Sequence, residues 1–157
     1  MSLDLDRIDL RILAALERDG RIANAELAER VHLSPSACLR RLQRLEREGL
    51  IRGYRAELDP ERLGLNLMAF VRVQLERHDQ AHVQRFADLV GGWEEVRACY
   101  ALTGDMDYLL QVQVQDLKHF SEFIMHKLMN GGVADVNSSF VLGTVKPPSG
   151  LIAAEQG

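Results

Sequence analysis

Residues Leu33–Ile51 read LSPSACLRRLQRLEREGLI: a helix cap, a proline, a leucine stripe edged by arginine, and a glycine stop. Ser34 is a strong N-cap, and Pro35 suits the first helical position, where its missing N–H is no loss. Gly49 ends the helix by taking the left-handed conformation. Leu39, Leu42 and Leu45 recur as an apolar stripe. Arg40, Arg41 and Arg44 lie away from that stripe, and Cys38 reads as a small packing residue. Leu33, just before the cap, plugs the turn. Upstream, Asp4 or Asp6 can cap a helix buried through Ile8, Ile12, Leu13 and Leu16 and ended by Gly20. Asn24 caps a short helix with Leu27, Ala28 and Val31 inward. Two short helices joined by a turn, the second one basic, form a helix-turn-helix. A plain three-helix bundle with exposed arginines is the alternative, and it leaves the agreement of cap, proline, turn and charge unexplained. Ile51 to Leu58 then reads as strand, with Gly53 at a turn.

Charge points the same way. Residues 1–55 hold eleven arginines against nine acids, whereas the rest of the chain holds eight basic residues against fourteen acids. Within 36–55, six arginines (Arg40, Arg41, Arg44, Arg47, Arg52 and Arg55) face two glutamates. Such asymmetry predicts two modules, the first with a polyanion as partner. A helix of this kind fits the DNA major groove. Its N-terminal residues, Ser34 and Ser36, would reach base edges or a phosphate, and arginine can fork onto guanine or phosphate oxygens. The chain has 157 residues, 46% of them apolar and 27% charged, which excludes wholesale disorder. Its longest apolar runs, Leu67–Val71 and Ala98–Leu102 among them, are far shorter than the about 20 residues of a membrane span. Asp4, Asp6 and Asp9 stand where a secretory signal would be basic and then apolar. Cys38 and Cys99 are isolated, so a reducing cytoplasm is the expected location.

Beyond residue 65 the period changes. Leu67–Leu75 alternates as a strand, and Gln80–Val90 is a helix with Val83, Phe86, Ala87 and Val90 inward, stopped by Gly91-Gly92. Trp93–Leu102 is a second strand, Thr103–Met106 a turn, and Tyr108–Gln115 a third strand. Asp116 caps a helix that buries Leu117, Phe120, Phe123, Ile124 and Leu128 and ends at Gly131-Gly132. Val133–Val145 is a last strand, followed by a loose tail. The order βαββαβ is that of a ferredoxin-like sandwich. Its helices cover one sheet face. The other, expected to carry Phe70, Val96 and Leu142, should dock on a copy of itself, giving a homodimer.

Three blocks in order resemble the Lrp/AsnC family of transcriptional regulators. They are the helix-turn-helix with LSPSACLRRLQRLEREGLI, then CYALTGDMDYLL (Cys99–Leu110), then GGVADVNSSFVLGTVK (Gly131–Lys146). The resemblance implies an α+β chain: an N-terminal winged helix-turn-helix (1–52), a linker strand (53–64), a C-terminal ferredoxin-like regulatory and oligomerisation domain (65–146) and a tail (147–157). It implies double-stranded DNA as partner and dimers that assemble further, commonly to octamers. It also implies control by a small effector, commonly an amino acid. Gly131 and Gln115 stand where many members have proline, and both lie at element boundaries. By the resemblance, DNA contacts fall to Ser34, Ser36, Arg40, Arg41, Arg44, Arg52 and Arg55. The effector falls beside Thr103, Gly104, Asp105 and Asp107, with Ser138 and Ser139 from a neighbouring subunit.

The chemistry of that turn is sound in its own right. Backbone N–H groups at a glycine turn can take a carboxylate, a nearby Asp an ammonium, and an apolar neighbour a side chain. Leucine or methionine is the expected effector. Thr-Gly-Asp-Met-Asp is equally a good hairpin turn with no ligand. His32, His78, His82, His119 and His126 form no HExxH motif, and neither GxSxG nor a P-loop occurs. His78 and His82, four apart, are weak evidence for a metal, and His119 and His126 read as solvated. No enzyme, metal or resident cofactor is expected. The competing reading is an amino-acid-binding oligomer whose helical module serves assembly rather than DNA.

Overall fold

The computed structural model describes residues 4–152, and its first helix starts where two carboxylates cap it reciprocally. Of the two candidate caps, Asp6 is the one used. Its carboxylate accepts the Asp9 N–H at 2.9 Å, and the Asp9 carboxylate accepts the Asp6 N–H at 3.2 Å. That fixes α1 at Arg7–Arg18. Next comes α2, Asn24–Arg30, and here the expected cap is corrected. Ala23 occupies the cap position, and Asn24 is the first helical residue. The Asn24 side-chain amide donates instead to the Pro35 carbonyl at 2.9 Å, tying α2 to the next helix across the turn. His32 turns the corner in the left-handed region (φ 57°). The third helix, α3, spans Pro35–Arg47, and the Ser34 hydroxyl accepts the Ala37 N–H.

The inward stripe of α3 also differs from expectation. Cys38 and Leu45 are fully buried, with Leu42 packed beside them, while Leu39 is 42% exposed. Positions 38, 42 and 45 follow the 3.6-residue period, whereas 39, 42 and 45 drift off it. The core of this unit joins Ile12, Leu13, Leu27, Ala28 and Val31 to those residues. No strand forms over 51–58. The apolar pattern there is real, but a strand exists only when its backbone groups find a ladder partner, and none is offered within this unit. Residues 4–57 and 146–152 form one compact unit. Residues 151 and 152 are held by Glu17, whose carboxylate accepts the Leu151 and Ile152 N–H groups at 2.6 and 3.0 Å, while Ile152 packs on the α1 core.

The second unit, Leu58–Val145, contains β1 (Leu67–Leu75), α4 (Gln80–Gly91), β2 (Val96–Ala101), β3 (Tyr108–Val114), α5 (Leu117–Phe123) and β4 (Val133–Phe140). The antiparallel sheet runs β2-β3-β1-β4, the ferredoxin-like order, with Val71 opposite Leu110 on one side and Ser138 on the other. Its core lies under the helices: Ala69, Val71, Val73, Leu110, Val112 and Val114 from the sheet against Phe86, Phe120, Phe123 and Leu128. Four details differ from the expected pattern. α5 gives way to a π turn at Ile124–Leu128 and a 3₁₀ turn at Met129–Gly131. β4 stops at Phe140, leaving Leu142 and Val145 fully exposed. Val96 packs on the helix-covered core, not on the open face, because it pairs with buried Val112. Leu117 and Ala87 face solvent. Among the described residues, no helix is long and apolar enough to cross a membrane.

Candidate DNA interface and effector turn

Asp9 and Glu95 are the two buried charged residues among those described, one in each unit. A buried charge needs close partners, so each marks a built arrangement. In the first unit Asp9 is 1% exposed. Its carboxylate accepts Arg41 Nη1 at 2.9 Å and Arg44 Nη2 at 2.5 Å, both from α3. Asp6, half exposed, also accepts Arg41 Nη1, at 2.7 Å. The Asp9 N–H and then the Arg41 guanidinium hold the Asp6 carboxyl below its usual range, and Asp6 and then Asp9 push Arg41 up. Two of the four recognition-helix arginines are thus bound to α1. Arg40 is exposed and pairs with no carboxylate among the described residues. Ser34 and Ser36 are exposed at the N-terminus of α3, with their hydroxyls 3.3 Å apart. Arg52 and Arg55 are exposed on the segment beyond Gly49. Reading the sequence found the arginines but missed the acids that hold two of them. Asp6 registers there as a candidate helix cap, and Asp9 only as an acid where a secretory signal would be basic.

In the second unit, the turn joining β2 and β3 carries Thr103, Gly104, Asp105, Met106 and Asp107. Gly104 adopts φ 111°, which L side chains avoid, with open space around the position a Cβ would take. Thr103, Gly104 and Asp105 are exposed, and no backbone carbonyl among the described residues accepts their N–H groups. Met106 points inward and is buried. Asp107 is occupied: its carboxylate accepts the Leu75 N–H at 2.7 Å and faces His78 Nε2 at 2.9 Å, pinning the turn to the end of β1. Ser138 and Ser139 are exposed on β4, the opposite edge of the sheet, with β3 and β1 between. One protomer does not bring them to the turn.

Two further histidines have acid partners. His82 Nδ1 sits 2.7 Å from Asp79, the cap of α4. His119, expected to be solvated, is half-buried with Nε2 3.5 Å from Glu95. Lys127 Nζ donates to both Glu95 oxygens at 2.7 and 3.0 Å. Burial pushes the Glu95 carboxyl up, but hydrogen bonds from Lys127 and from its own backbone N–H outweigh this and hold it below the usual range. No group of three or more His, Cys, Asp or Glu residues among those described is arranged to hold a metal.

Two family models match the chain. A winged helix-turn-helix DNA-binding model matches residues 5–52, and the Lrp/AsnC ligand binding domain matches 68–151. The leucine-responsive regulatory proteins of Escherichia coli K12 and Klebsiella pneumoniae are each 41% identical over 150 residues, which is 95% of this chain and 92% of theirs. A transcriptional regulator from Neisseria meningitidis, solved as an L-Met complex, superposes with a TM-score of 0.88 at 48% identity, covering 91% of this chain and 93% of that one. An AsnC family regulator from Agrobacterium tumefaciens gives 0.89 at 35% identity, over 94% and 96%.

Proposed function

The chain belongs to the Lrp/AsnC family of transcriptional regulators, and from that premise we propose that its DNA affinity or assembly responds to an amino acid, most simply leucine or methionine. The observation that carries the DNA half is α3 itself. It is capped by Ser34, leads with Pro35, and presents Ser36 and Arg40 on the face opposite Cys38 and Leu45. Ser34, Ser36 and Arg40 meet the major groove, and Arg52 and Arg55 meet the backbone beside it. Arg41 and Arg44 stand close by on the same helix, bound to α1's acids.

The effector half rests on the free amides and glycine of the β2–β3 turn, and on two relatives, one named leucine-responsive and one solved as an L-Met complex. Thr103 and Gly104 offer N–H groups to the effector carboxylate, and Asp105 offers a free carboxylate to its ammonium. Asp107 holds the turn in shape. Ser138 and Ser139 join from a neighbouring subunit, because one protomer keeps them on the far edge. Dimers form through the sheet face left bare by the helices, where Phe70 and Tyr100 are exposed, and dimers assemble to an octamer. The named relatives are regulators, so no catalytic role is assigned.

A gel shift on the chain's own upstream DNA, with and without each of the twenty amino acids, tests this reading. A sequence-selective shift altered by one or a few amino acids is expected. Amino-acid binding with no selective DNA shift would leave the competing reading, an amino-acid-binding oligomer.

A further inference from the structure

The four arginines of α3 divide by partner. Arg41 and Arg44 reach the surface, with side chains 27% and 35% exposed, yet both end on Asp9, and Arg41 also on Asp6. Arg40 and Arg47 are exposed and meet no carboxylate among the described residues. Asp9 sits in the first turn of α1, and its carboxylate binds the Asp6 N–H as well as both guanidinia. One buried carboxylate therefore fixes the start of α1 and seats α3 against it. We propose that Asp9, seconded by Asp6, is a specificity-setting positioning residue: it withdraws Arg41 and Arg44 from DNA phosphates and uses them to seat α3, leaving Arg40, nearer the helix N-terminus than Arg47, as that helix's DNA-reading cation.

The physical reason lies in what a free arginine does near DNA. Each phosphate it neutralises adds sequence-independent affinity and steepens the salt dependence by about 0.9 in log–log slope. Two uncommitted arginines would tighten binding to every sequence. Competing non-specific sites far outnumber operators, so that gain lowers discrimination in practice. Tied to Asp9, the same two side chains hold the helix at a fixed setting, which base-edge contacts require.

The inference rests on the DNA-binding reading, and the experiment keeps the two separable. The probes are a duplex selected by the wild-type chain from random-sequence DNA and its scrambled counterpart, titrated between about 50 and 200 mM salt. If the wild-type chain selects no duplex, the DNA-binding reading fails. If it selects one, Arg41→Gln and Arg44→Gln should leave the salt slope unchanged, while Arg40→Gln lowers preference for the selected duplex. Asp9→Asn should steepen the slope on both duplexes by about one to two and cut the affinity ratio about tenfold. Asp6→Asn covers the case in which Asp9→Asn does not fold, because asparagine caps a helix as well as aspartate. It should steepen the slope by up to about one with thermal stability unchanged. A purely structural role for the acids would leave the Asp6→Asn slope at the wild-type value. That result, or a slope lowered by about one in Arg41→Gln or Arg44→Gln, overturns the proposal.

Discussion

Asp105 and Asp107 stand two residues apart in one turn and do different things. Asp107 accepts the Leu75 N–H, at the buried end of β1, and it also meets His78. Asp107→Ala strands that N–H, so the chain should lose about 1–3 kcal/mol of stability, and amino-acid binding with it. Asp105 is exposed and has no such duty. Asp105→Ala should leave stability within about 0.5 kcal/mol while weakening leucine or methionine binding by about 1.5–3 kcal/mol, the worth of a charge-assisted hydrogen bond. Thermal unfolding beside calorimetry separates the two, and undiminished binding in Asp105→Ala would place the ammonium elsewhere. The sequence alone cannot make this distinction. Both residues read as turn formers, and what divides them is a contact with Leu75, 32 positions away. Asp9 poses the same difficulty: its role depends on arginines 32 and 35 positions further on. Periodicity reports which face a residue is on, not which charge it meets across the fold.

At the scale of elements, most of the architecture was legible, because hydrophobic period distinguishes helix from strand. The change from the leucine spacing of α3 to the alternation of Leu67–Leu75 marks the new unit without any other clue. Caps were legible where the side chain itself does the capping, as at Ser34 and Asp116. Asn24 misleads because its amide reaches sideways to Pro35. Residues 51–58 mislead because alternation describes side chains, and strand formation depends on a backbone partner. The π turn at Ile124–Leu128 leaves no sequence signal, yet it lies where Lys127 meets Glu95. That pair makes a pH prediction. Lys127 and the Glu95 N–H hold Glu95 below its ordinary 4.5, so the native state favours the charged form. Its contribution is fully present above 4.5 and is lost as pH falls through the lowered native value. Glu95→Gln should therefore flatten the acid limb of the melting-temperature profile and lower stability at neutral pH. Lys127 is 44% exposed, so the loss is discounted to about 1–2 kcal/mol. An acid limb unchanged by the substitution would show that other carboxylates set it. Ser34→Ala should cost about 1 kcal/mol by leaving the Ala37 N–H uncapped.

At the scale of the whole molecule, function depends on copies meeting. Phe70 and Tyr100 are 37% and 57% exposed, and register puts them opposite Gln111 and Leu109 on the face away from α4 and α5. Phe70→Asp should weaken self-association by at least about tenfold, since a charge buried at a subunit interface costs about 2–5 kcal/mol. Sedimentation at micromolar concentration would show it, and an unchanged assembly would assign the interface to another surface. A dimer presents two α3 helices, so operators should be near-palindromes with half-sites about one DNA turn apart, or a multiple of that. Assembly also decides whether the effector can act. A ligand shifts DNA affinity only through its differential affinity for two arrangements of the protein. If the turn at Thr103–Asp107 is completed by Ser138 and Ser139 of another subunit, those arrangements differ in how subunits meet. The coupling should then be about 1–3 kcal/mol, a factor of about 5–150, and it must be reciprocal. Calorimetry of leucine or methionine with and without the selected duplex should show amino-acid affinity moved by the factor by which the amino acid moves DNA affinity. Equality of the two factors is required whatever the structural route, so their failure to match would signal unequal assembly states in the two titrations. A factor of one in both would mean that the turn binds its ligand without informing the DNA-binding helices.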